Sequence, residues 1–68
     1  MKRKELKNIA KKMAMLELSL KNANDSEKKA IEAEMMAITY RIINEDGQEA
    51  DDTLGQLDEM IQEILKNS

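Results

Sequence analysis

The chain has 68 residues, a net charge of −3 and no cysteine, histidine or proline. Disulfides are excluded, and zinc, copper and haem sites lose their usual ligands. A single core of this size supplies only about 3–5 kcal/mol on its own, so stability must draw on regular helix packing or on self-association.

Apolar residues make up 41% of the chain and are aliphatic, with Tyr40 the one aromatic. Strand-favouring residues are scarce, whereas Ala, Leu, Glu, Lys, Gln and Met dominate, which predicts an all-α fold. The expected architecture is one domain over 1–68, a short three-helix bundle made of a helical hairpin plus a shorter third helix. No apolar run approaches the ~18 residues of a membrane span, and the opening MKRKELKN has no apolar segment of a signal peptide. A cytoplasmic protein without membrane contact is expected.

In the first segment Leu6, Ile9, Met13, Leu16 and Leu20 fall 3, 4, 3 and 4 residues apart, one stripe of a helix. Helix 1 is predicted over about 4–22. It ends in Asn22-Ala23-Asn24-Asp25-Ser26, whose short polar side chains favour a turn. Asp25 or Ser26 is the expected cap of helix 2, which should run over about 26–43. In helix 2, Ile31, Met35, Ile38 and Ile42 form one stripe, while Ala33, Met36, Ala37, Tyr40 and Ile43 cover most of the other side. A helix that is apolar on two faces has to be covered on two faces.

The acidic segment 44–53 reads as the connection to helix 3. Gly47 supplies the positive φ that ends helix 2, and Thr53 with Gln56 fits a capping box. Helix 3 is predicted over about 54–66, with an extra turn from Gln48 as the alternative, and with Leu54, Leu57, Ile61, Ile64 and Leu65 as its stripe and Met60 at the margin. Short connections favour antiparallel neighbours, so helices 1 and 2 should form a hairpin with helix 3 folded back beside them and helix 2 in the centre. Apolar groups are then left over. Met15 and Leu18 lie off the stripe of helix 1, and Met36, Tyr40 and Ile43 lie off that of helix 2. These five form the expected association surface, since burying each large aliphatic side chain contributes about 1.5–3 kcal/mol.

The acidic segment also invites comparison with a calcium loop. With Gly47 at loop position 6, Asn44 and Asp46 fit positions 3 and 5, but Ile42 and Thr53 occupy positions 1 and 12, where the first ligand and the bidentate carboxylate belong. No specific metal is expected. The charge is instead distributed as a gradient. Residues 1–12 hold six Lys/Arg against Glu5, a balance of +5, and residues 44–68 hold Lys66 against eight acids, a balance of −7. A hairpin brings these two regions together, with weak, screened attraction as the result.

Three functional classes follow from these residues. Catalysis has little to work with, because the remaining acid–base groups sit at the spacings of solvated helix faces, and no glycine-rich phosphate loop is present; no enzyme activity and no cofactor are expected. Nucleic-acid binding would rest on Lys2, Arg3, Lys4, Lys7, Lys11 and Lys12 as candidate phosphate contacts. No base-reading or stacking set accompanies them. Protein association is favoured: a non-catalytic interaction or regulatory module, expected as a homodimer or with a helical protein partner, with Tyr40 as anchor. Leu57, Asp58 and Ile61 resemble part of the signature of the small helical-hairpin phosphatases of sporulation phosphorelays. Leu54 and Gly55 stand where that family carries Ser and Gln, so no activity or site is carried over.

Overall fold

The computed structural model describes residues 2–67, which form three α-helices: α1 (Arg3–Leu20), α2 (Asp25–Asp46) and α3 (Ala50–Lys66). Among the described residues there is no strand. The architecture is all-α, a helical hairpin joined to a third helix. The hairpin turn is tight, closed by the amide of Asn22 donating to the Ser19 carbonyl at 3.2 Å and that of Ala23 to Leu20 at 3.4 Å.

Asn24 caps α2: its Oδ1 accepts from the backbone amide of Glu27 at 2.8 Å. The cap thus falls one residue before the expected Asp25 or Ser26. Those residues lie inside the first turn, where the carboxylates of Asp25 and Glu27 suit the positive end of the helix.

The far end of α2 differs more from expectation. The helix continues through Asn44 and Glu45 to Asp46, and only the single 3₁₀ turn Gly47–Glu49 separates it from α3. Gly47 has φ +56°, and its amide donates to the carbonyl of Ile43. Thr53 is not a cap. It sits one turn inside α3, and its hydroxyl donates to Oδ2 of Asp46 across the turn. That bond fastens the last residue of α2 to α3, so a stretch that reads as an open acidic loop becomes the close junction of two helices. The third helix is accordingly 17 residues long, close to the 18 of α1.

The core is a single cluster of Leu6, Ala10, Met13 and Ala14 from α1, Ile42 from α2, and Leu57 and Ile61 from α3. Ile9, Leu16, Met35, Ile38, Leu54, Met60, Ile64 and Leu65 pack around it, partly buried. The expectation that α2 sits centrally is corrected here. Its one buried residue is Ile42, and α1 packs most extensively against α3. Ala10 and Ala14 explain the difference, since side chains that end at Cβ let a neighbouring helix approach closely. Around the remaining apolar residues of α1, the contact with α3 is the one that fills. Near the hairpin turn, an open groove is lined by Glu17, Leu20, Lys21, Lys28, Glu32 and Met35, from α1, α2 and the turn between them. No residue of α3 reaches it.

Candidate association surface

Helix periodicity and two cross-helix features fix the outward faces. Lys12 pairs with Glu34 at 3.0 Å, which sets the level of α1 against α2. Leu6 and Arg3 share a cavity with Thr53 and Gln56, and Arg3 and Lys7 share another with Met60, Glu63 and Ile64, so the start of α1 meets α3 along much of its length.

Two residues along a helix turn a side chain through about 200°. Tyr40 is two residues from both Ile38 and Ile42, which face inward, and therefore faces out. Met15 is likewise two residues from buried Met13. Met15 is 69% exposed, Met36 55% and Tyr40 57%; Leu18 and Ile43 are exposed to a lesser degree. These five are the exposed large apolar side chains of the described residues.

Two of them belong to α1 and three to α2. Met36, Tyr40 and Ile43 are spaced 4 and 3 residues apart on the side of α2 turned away from the core, with exposed Ala33 and Ala37 beside them. Met15 and Leu18 lie on the outer side of α1. With the Lys12–Glu34 pair as a level mark, Met15 lies nearer the hairpin turn and Tyr40 nearer the opposite end. Sequence spacing alone could assign the five to two helices but could not supply this separation, because it depends on how the hairpin is rotated.

The candidate phosphate contacts divide in the same way. All of Lys2, Arg3, Lys4, Lys7, Lys11 and Lys12 are exposed. Lys12 is engaged with Glu34, and Arg3 lines a cavity of about 260 Å³ with Leu6, Asp46, Glu49, Asp52, Thr53 and Gln56. Lys4, Lys7 and Lys11 are exposed on α1, and Lys7 also borders α3 beside Met60, Glu63 and Ile64. The acidic end of the molecule thus lies beside the start of α1, as charge attraction across a hairpin favours.

The Asp46 carboxyl is held below the ordinary aspartate range, in part by the Thr53 hydroxyl, which favours the ionised form. Among the described residues no group of three or more carboxylates is arranged to hold a metal ion. No helix is long and apolar enough to cross a membrane. Comparison with protein-family models, with curated proteins and with solved structures gave no match.

Proposed function

We propose that this protein is a non-catalytic association module whose main docking surface is the outer face of α2, with a second copy of the chain as its first partner. The observation that supports the reading is the exposure of Met36, Tyr40 and Ile43 along one side of a helix whose other side already faces the core. A chain with so few fully buried residues has little stability to spare, and covering three large apolar side chains would contribute several times the ~1.5 kcal/mol lower bound for one. Tyr40 is the natural anchor, being a large, rigid side chain with a polar tip. The working location is the cytoplasm, where a chain stabilised by packing and association needs no disulfide.

Tyr40→Ala and Met36→Asp test the reading. Each should weaken self-association seen by sedimentation over a concentration series and leave helix content by circular dichroism unchanged. A compact monomer at every concentration would remove it. One observation favours a second reading, nucleic-acid association: Lys4, Lys7 and Lys11 share one exposed line. Under that reading duplex binding falls steeply with salt, and Ala substitutions among residues 2–12 abolish it while Tyr40→Ala has no effect.

A further inference from the structure

A two-fold pairing through α2 would cover Met36, Tyr40 and Ile43 and leave Met15 and Leu18 in water. A different contact covers all five. On α1, the exposed residues Lys4, Lys7, Lys11, Met15 and Leu18 are spaced 3, 4, 4 and 3 residues apart and so form a single exposed line that borders α3 at Lys7, basic in its first half and apolar in its second. On α2, the exposed residues Ala33, Met36, Tyr40 and Ile43 form an apolar line that leads into the acidic junction.

We infer that these two lines are the complementary halves of one head-to-tail interface: the outer side of α1 in one copy lies antiparallel on the outer side of α2 in the next. The inference rests on the reading that the exposed apolar surface serves self-association. Charge selects the direction. With Met15 set beside the partner's Tyr40, an antiparallel course carries Lys11 past position 44 and Lys7 and Lys4 beyond the end of the partner's α2, toward the junction with its carboxylates at 45, 49, 51 and 52. A parallel course would bring Lys4 to position 29, a lysine beside a second lysine at 28. Ion pairs at such a rim add little affinity, but they set orientation and make association sensitive to salt. The apolar halves supply the attraction.

Where a copy turns its α1 line to one neighbour and its α2 line to another, each docked copy still presents one of each. The contact does not close on itself at two copies, and it builds a ring or an open chain.

Sedimentation velocity of the full chain tests this, using Leu18→Glu to block the α1 line and Tyr40→Glu to block the α2 line. Both positions are exposed and glutamate is a good helix former, so helix content should be kept; Met15→Lys and Met36→Lys form a second such pair. The wild type should reach masses above two copies as concentration rises, and added salt should reverse this. Each variant alone should self-associate at least about tenfold more weakly. An equimolar mixture of the two should form a one-to-one complex, because each variant keeps the line the other has lost. If Leu18→Glu still dimerises while Tyr40→Glu does not, the contact is two-fold through α2: head-to-tail docking is overturned and self-association stands. A wild type that remains monomeric throughout overturns both.

Discussion

Gly47 and Gly55 are the two glycines of the chain, and their backbones give them opposite roles. Gly47 turns the chain out of α2 with φ +56° and ψ −116°, a sparsely populated region that costs a residue bearing Cβ about 1–3 kcal/mol. Gly55 has ordinary helical geometry in the second turn of α3, and a Cβ built there meets nothing within 4 Å. In urea unfolding Gly47→Ala should therefore destabilise the protein by about 1 kcal/mol, whereas Gly55→Ala should stabilise it by about 0.5–1 kcal/mol. Equal signs for the two would contradict the assigned backbone geometry. The role of Gly47 is legible from Asp46-Gly47 alone, a familiar turn pair. That of Thr53 is not. A threonine three residues before a glutamine reads as a cap, and only the proximity of Asp46 reveals that the hydroxyl is directed across the junction instead.

At the scale of elements, α2 shows best what periodicity can and cannot tell. Its two apolar stripes are readable by counting threes and fours, and its inward stripe does face the core. Which neighbour covers a stripe is not set by the stripe itself: α1 packs most extensively against α3, and Ile42 is the one fully enclosed residue of α2. Ile42→Ala should therefore cost about 2–5 kcal/mol, while Met36→Ala, on the outer side, should change monomer stability by no more than about 0.5 kcal/mol. Chemical denaturation at low protein concentration separates the two. A large effect at Met36 under those conditions would mean that the outer face is covered within the monomer. The ends of the helices were less legible than their middles. Asn44, Glu45 and Asp46 suggest a loop because Asn and Asp compete for backbone hydrogen bonds, yet a helix that is already formed extends through them at small cost.

At the scale of the whole molecule, seven side chains make up the buried cluster, four of them from α1. Such a protein depends on whatever its outer faces meet. If association covers them, the midpoint of thermal unfolding should rise with protein concentration, by mass action on the folded state. Calorimetry at several concentrations checks this, and a midpoint independent of concentration would argue against a functional second copy. The fold class was visible in composition and spacing. So was the identity of the uncovered residues, since a side chain two positions from an inward one must face out. Their placement around the molecule was not visible, because it is fixed by the rotation of one helix against another.

The junction between α2 and α3 is only one 3₁₀ turn long, and this makes its length a structural variable in its own right. One residue inserted after Gly47 would advance every later side chain by about 100° around the axis of α3. Leu57 and Ile61 would then swing out of the interior and Gln56 and Met60 would take their places, though no interior residue had been altered. The three helices are thus phased like meshed gears, and the spacer that sets their timing is as constrained as the teeth.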